Sequence, residues 1–318
     1  MRIKRRHLVA ALVAGLLGKV CVAAAADPVS AMVVFGDSLS DPGNAFVLQR
    51  ENNVPPDYSL NPLLIPDDAY ARGGHHFSNG PVWAEQLGRS LGLAADAGPA
   101  FRDANTHATN YAVGGARAND DGTNINLPVQ VRVFLQDFGG HAPSDALYVI
   151  AFGGNDVRDA LAAAGAGQDP APVIGAGVGA VGTNIRTLYL AGARRFLVWN
   201  VPNLGLTPAV QALGPGAVSA AGQLSKAFND GLGAVLAVLV PQLPGITITG
   251  FDLGSVLDAV HGDPAAFNLR DVTHPCISPR DPPFVCKYPD TYLYWDGIHP
   301  TTAAHGIIAR DIARLLGN

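Results

Sequence analysis

Cysteine, methionine and charge are all scarce in this chain. Of its 318 residues, three are cysteine, two are methionine and 15% are charged. So few cysteines exclude a small fold stapled by many disulfides. A charged fraction that low, with 48% hydrophobic residues, excludes a disordered acidic protein. No period of 20–50 residues recurs, which argues against a solenoid or a propeller. What is abundant is glycine, at 37, and proline, at 24, the residues of tight turns. A chain of this length can bury one large core without a second domain.

The N-terminus is set apart. Arg2, Lys4, Arg5 and Arg6 precede an apolar run from Leu8 to Leu17, and Ala23 to Ala26 follow. Basic, apolar, then small residues is the order of a secretory signal peptide. The apolar run falls short of the ~20 residues of a membrane span, and Lys19 interrupts it. We therefore expect residues 1–26 to be a signal peptide, residues 27–318 to form a single domain, and no integral membrane anchor. Cys21 follows Lys19-Val20, which lacks the small residues of lipidation sites. The expected location is secreted or periplasmic, in a bacterium.

The first 26 residues hold five of the 21 basic residues and none of the 26 acidic ones, so the remainder carries 16 basic residues against 26 acidic, a formal charge of −10. Such a surface repels phosphate backbones, and nucleic acid is not an expected partner. Cys276 and Cys286 remain in the mature chain and are expected to form a disulfide after export. Zinc ligation with His274 is the alternative, but the spacing is far from C-x₂₋₄-C.

Apolar runs alternate with helical patterns. Strands are expected at 31–35, 108–113, 146–152, 195–201 and 246–251. Helices are expected at 82–91, 173–191, 217–240 and 301–316. The alternation predicts a three-layer α/β/α fold with a mainly parallel central sheet. Ligands bind such sheets beyond the carboxyl ends of the strands. Four expected strands end there in Gly- or Asn-rich turns: Gly36-Asp37-Ser38, Gly114-Gly115, Gly153-Gly154-Asn155-Asp156 and Asn200-Val201-Pro202-Asn203.

A serine hydroxyl needs a base, the base needs an orienting carboxylate, and the attacked carbonyl needs donors for its developing charge. Ser38 follows a strand at the sheet edge. Asp296 and His299 stand three apart near the C-terminus. Gly115 offers an unobstructed backbone N–H and Asn155 an amide. Each feature alone is a common turn or capping pattern. In order along the chain, however, stand Phe35-Gly36-Asp37-Ser38-Leu39-Ser40-Asp41, Asn110-Tyr111-Ala112-Val113-Gly114-Gly115-Ala116, Gly153-Gly154-Asn155-Asp156 and Asp296-Gly297-Ile298-His299-Pro300-Thr301. Together they resemble the four blocks of the GDSL, or SGNH, hydrolases. The resemblance implies a flavodoxin-like SGNH-hydrolase fold, ester hydrolysis, no cofactor and no metal. It implies Ser38 as nucleophile, His299 as base and Asp296 as its orienting carboxylate. It implies an oxyanion hole from the Ser38 N–H, the Gly115 N–H and the Asn155 amide, with Gly114 replacing Gly115 if the alignment slips by one. The lipase elbow G-x-S-x-G is absent, as that family's pattern leads one to expect.

The expected partner is a small-molecule or lipid ester. Other residues receive plainer readings. Asp37 is a turn residue, Asp156 bonds backbone at a helix start, and Trp199 and His305 are structural. His75-His76 are candidates for lining the substrate mouth, and the proline-rich segment 49–77 for shaping the acyl pocket. Two rival functions remain. One is a metal-dependent phosphoesterase using Asp37, Asn155, Asp156, Asp296 and His299. The other is a surface-binding protein that kept the fold and lost the activity.

Overall fold

A computed structural model of the chain describes residues 29–49, 76–102, 107–277 and 285–317. The expected signal peptide, His75 and most of the segment 49–77 lie outside them. In chain order the elements are β1 (Met32–Gly36), α1 (Asn44–Gln49), α2 (Trp83–Ser90), α3 (Leu127–Asp137), β2 (Leu147–Ala151), α4 (Gly154–Gly165), α5 (Ala171–Ala191), β3 (Arg195–Trp199), α6 (Pro208–Gln211), α7 (Pro215–Gln242), β4 (Thr247–Phe251), α8 (Leu253–Gly262), β5 (Asp271–Pro275), β6 (Tyr292–Tyr294) and α9 (Thr302–Leu315). The first four strands form one parallel sheet in the order β1-β2-β3-β4.

The layers follow from the period-two geometry of strands. Val33 and Phe35 of β1, Tyr148 and Ile150 of β2, and Phe196 and Val198 of β3 face one core, which α3, α5 and α7 cover. Their neighbours Met32, Val34, Leu147, Val149, Leu197 and Trp199 face a second core, under α2, α8 and α9. Both faces are buried, so these strands are apolar throughout rather than alternating. The helix α7 is long and apolar enough to cross a membrane by length and composition; here it packs along α5 and α4.

The expected strand at 108–113 lies beside β1 but is not a regular strand. It meets β1 at one parallel bridge, Val34 with Asn110. Two β1 amides on that edge are taken by side chains instead: Met32 N–H donates to Asp96 Oδ2 at 2.8 Å and Gly36 N–H to Gln130 Oε1 at 3.0 Å. Side chains have thus replaced rungs of the ladder. Counting this segment second, the order is 2-1-3-4-5, the flavodoxin-like arrangement, whose switch point lies between β1 and the strand paired on its other side. The turns after β1 and β2 flank that point, and they carry Ser38 and Asn155. A smaller parallel pair, β5 with β6, was not expected from the sequence. Next to it the Cys276 and Cys286 sulfurs are 2.10 Å apart.

His305 in α9 is fully buried, and neither ring nitrogen has a hydrogen-bond partner among the described residues. Burial, followed by the imidazoles of His299 and His76, pushes it down to about 3. An unfolded histidine takes up a proton near pH 6.5. The stability associated with a neutral His305 is therefore complete above pH 6.5 and drains away as the pH falls toward 3. His305→Leu should melt higher than the parent, and the gap in Tm should widen as the pH is lowered through that window. A gap that does not change with pH would contradict a buried neutral imidazole.

Candidate active site

Ser38 lies two residues beyond β1, in a turn fixed by its neighbours. Asp37 Oδ1 accepts from Leu39 N–H at 3.0 Å, and Asp37 O accepts from Ser40 N–H. Burial pushes the Asp37 carboxyl up to about 6, against the pull of the Leu39 N–H and of nearby His299. Asp41 ties this turn to the neighbouring one. Its carboxylate accepts from the backbone N–H groups of Gly43, Asn44 and Ala45, and from Gly114 at 2.8 Å. Burial raises Asp41 to about 6 as well, with these donors opposing it. Asn44 Nδ2 donates to the carbonyls of Asn110 and Ala112, both at 2.8 Å. These bonds hold the 110–115 segment in place beside Ser38.

Gly114 and Gly115 are glycines for different reasons. A Cβ on Gly114 would stand 2.2 Å from the Phe77 ring. Gly115 has φ +77°, a conformation that costs little only for glycine. The Gly114 N–H is spent on Asp41. The N–H groups of Gly115 and Ser38 have no acceptor among the described residues. The Gly114–Gly115 ambiguity in the sequence thus meets a clear asymmetry: Gly115 has the free donor.

The loop after β6 brings in the remaining groups. His299 Nε2 is 2.8 Å from Ser38 Oγ, across 261 residues of sequence. His299 Nδ1 is 2.6 Å from Asp296 Oδ2. Asp296 Oδ1 accepts from the N–H groups of Ile298 and His299, at 2.8 and 2.7 Å. Asp296 and His299 are buried, whereas Ser38 keeps 7% of its surface. The loop is pinned by Ser78 Oγ on Pro300 O and by Ala209 N–H on Gly297 O. Phe77 packs on the His299 ring with centroids 5.3 Å apart.

Asn155 sits in the first turn of α4, at the positive end of that helix. Its Nδ2 donates to Ala116 O at 2.9 Å, and Arg158 Nη1 donates to its Oδ1 at 3.2 Å. The amide is fixed at both ends, with one Nδ2–H left over. Arg158, one helical turn on, carried no mark in the sequence that separated it from a surface arginine. Ser38, Asn155 and His299 open on a cavity of about 70 Å³ walled by Trp199, Leu253, Leu257 and Leu293. Trp199, expected in the core, is buried there against Trp83 and also faces this cavity.

The Asp156 carboxylate accepts from its own N–H in the first turn of α4 and also reaches across to the Ala118 and Asn119 N–H groups at 2.9 and 3.2 Å. One reading changes. His76 is buried with Nε2 2.8 Å from Glu85, so it packs inward rather than lining a mouth. Among the described residues, no three His, Cys, Asp or Glu side chains are grouped as metal ligands.

The chain is similar to several known proteins. Residues 32–312 match the family described as GDSL-like lipase/acylhydrolase. A GDSL esterase/lipase of Arabidopsis thaliana is 28% identical, over 89% of this chain and 88% of its own length. A GDSL lipase of Tanacetum cinerariifolium is 25% identical, over 86% and 81%. Among solved structures, an acetylxylan esterase from Geobacillus stearothermophilus aligns with 92% of this chain and 97% of its own, at TM-score 0.43 and 14% identity. A carbohydrate acetylesterase family member from Sinorhizobium meliloti aligns over 91% and 100%, at TM-score 0.40 and 17% identity. With the family match spanning nearly all of the described residues, the chain belongs to the GDSL-like lipase/acylhydrolase family.

Proposed function

We propose that this protein is an exported carboxylic ester hydrolase, a single domain over residues 27–318, that works through an acyl-serine intermediate. The observation that carries the mechanism is the unbroken chain Ser38 Oγ, His299, Asp296, with bonds of 2.8 and 2.6 Å. Neutral His299 takes the Ser38 proton at Nε2 as Oγ attacks the carbonyl carbon. The carbonyl oxygen becomes an oxyanion, met by the free N–H groups of Ser38 and Gly115 and the spare Nδ2–H of Asn155. The intermediate collapses, the C–O bond to the alcohol breaks, and Nε2 returns the proton to the departing alkoxide. Water then repeats the sequence: His299 deprotonates it, hydroxide attacks the acyl carbon, and Ser38 leaves with the proton. Asp296 accepts the Nδ1–H throughout, which holds the ring in register and offsets its transient charge.

Export is supported by the N-terminal composition and by the contact of Cys276 with Cys286, a pair that persists as a disulfide in an oxidising compartment. Purified protein should hydrolyse p-nitrophenyl acetate, and a chelator should leave the rate unchanged. Inactivation by chelator with recovery on adding Zn²⁺ or Mn²⁺ would favour the metal-dependent phosphoesterase instead.

A further inference from the structure

A second hollow, of about 540 Å³, runs between α4 and the α6–α7 pair. It shares Arg158, Leu204, Thr207 and Ile298 with the cavity at Ser38. Ile298 directly precedes His299, so the groove adjoins the reacting centre. The cavity at Ser38 is the smaller of the two, and a longer substrate chain extends beyond it.

The chemistry of the groove selects what can follow. Its walls are aliphatic, with Leu161 and Ala162 from α4, Val210 and Leu213 on and beyond α6, and Ala217 and Ala220 from α7. Leu213 stands 68% exposed at its rim. Among the described residues, no aromatic ring lines the groove, and Arg158 and Thr207 are its only polar side chains. The Thr207 hydroxyl already donates to Leu204 O at 2.7 Å, and Arg158 is engaged with Asn155. A sugar placed here would lose water from its hydroxyls and regain hydrogen bonds only at one end, from the remaining N–H groups of Arg158. It would also find no ring to stack on. A hydrocarbon chain loses nothing and removes apolar surface from water on both sides.

We propose that the α4–α7 groove binds an aliphatic chain of the ester substrate, which makes the preferred substrates lipophilic esters rather than acetylated carbohydrates. This rests on Ser38 as the reacting centre. Two glycines in the walls allow a direct test. A Cβ added at Gly165 of α4 or Gly216 of α7 meets nothing within 4 Å. Phenylalanine at either position therefore meets no clash at Cβ and places a ring at the groove wall. The measurement is kcat/KM for p-nitrophenyl esters from acetate to decanoate, and for acetates from ethyl to decyl, so that either arm of the ester reveals itself. In the parent, kcat/KM should climb about fourfold per methylene over several carbons in one of the two series. Gly165→Phe and Gly216→Phe should flatten that climb, lowering kcat/KM for the longer esters relative to p-nitrophenyl acetate. Rates independent of chain length in both series, or Phe variants that keep the parental slope, would overturn the groove while leaving the esterase intact. Failure of the parent on every ester, p-nitrophenyl acetate included, would overturn the hydrolase reading and the groove with it.

Discussion

Ser38→Ala should lower ester hydrolysis by about 10⁴-fold or more and leave the fold in place. The size of the loss follows from the way the three side chains act together. Without Oγ there is no acyl-enzyme, and His299 has only water to activate, in a geometry set for a serine. The residual rate comes from the oxyanion donors and from substrate binding, which the substitution leaves intact. Stability should hold because Ser38 Oγ has one partner among the described residues, the His299 Nε2, and faces the cavity, where water can replace it. A melting temperature within a few degrees of the parent, alongside the kinetic loss, separates a chemical effect from unfolding. Near-normal kcat would remove Ser38 from the mechanism.

Asn155→Ala should lower kcat by about 10²–10³ with little change in KM. A donor aimed at an oxyanion bonds weakly to the ground-state carbonyl and strongly to the transition state, so its loss appears in kcat. The variant also strands two groups, Ala116 O and the Arg158 guanidinium, which lose their bonds to the amide. That costs about 1–3 kcal/mol of stability. A modest fall in melting temperature is therefore expected together with the fall in kcat. If KM rises and kcat holds, Asn155 binds substrate and does not stabilise charge.

The sequence made the fold legible where burial dictates composition. β1, β2 and β3 are covered on both faces, and their continuous apolar runs mark them within about two residues. The long helices α5 and α7 lie within two residues of their expected ends, with Gly192 at φ +126° just past α5. The weaker elements went unread for physical reasons. The helices α3 and α8 carry start signals, Asn126 ahead of Pro128 and Asp252 accepting from Ser255 N–H, but each presents only a short apolar stripe behind them. The α4 helix begins inside the Gly153-Gly154-Asn155-Asp156 turn, so its first turn reads as loop. The strand β5 is half-exposed without clean alternation, and β6 is only three residues long.

The candidate site divides along the same line. Residues whose type is unusual in its setting were visible: a serine straight after a buried strand, paired glycines, and a carboxylate three residues before a histidine. Residues that act through distant neighbours were not. Gln130 closes the end of β1 from 94 residues away, donating to Gly36 O at 2.8 Å and accepting from Gly36 N–H. Nothing in Gln130 or its neighbours points to that bond. Asp41 stood inside the first motif, yet its bond to Gly114 N–H, which leaves Gly115 as the free donor, appears only in three dimensions. The same holds for Arg158 and for Phe77, which is covered by His299 on one side and approaches Gly114 on the other.

The central claim is that Ser38 is the nucleophile, and covalent capture tests it most directly. Active protein treated with a fluorophosphonate should lose activity in step with the gain of one adduct per chain. Peptide mass analysis should place that adduct on Ser38, and His299→Ala should react far more slowly because the hydroxyl has lost its base. An adduct on any other residue, or an enzyme that hydrolyses esters at full rate without being labelled, would contradict the account.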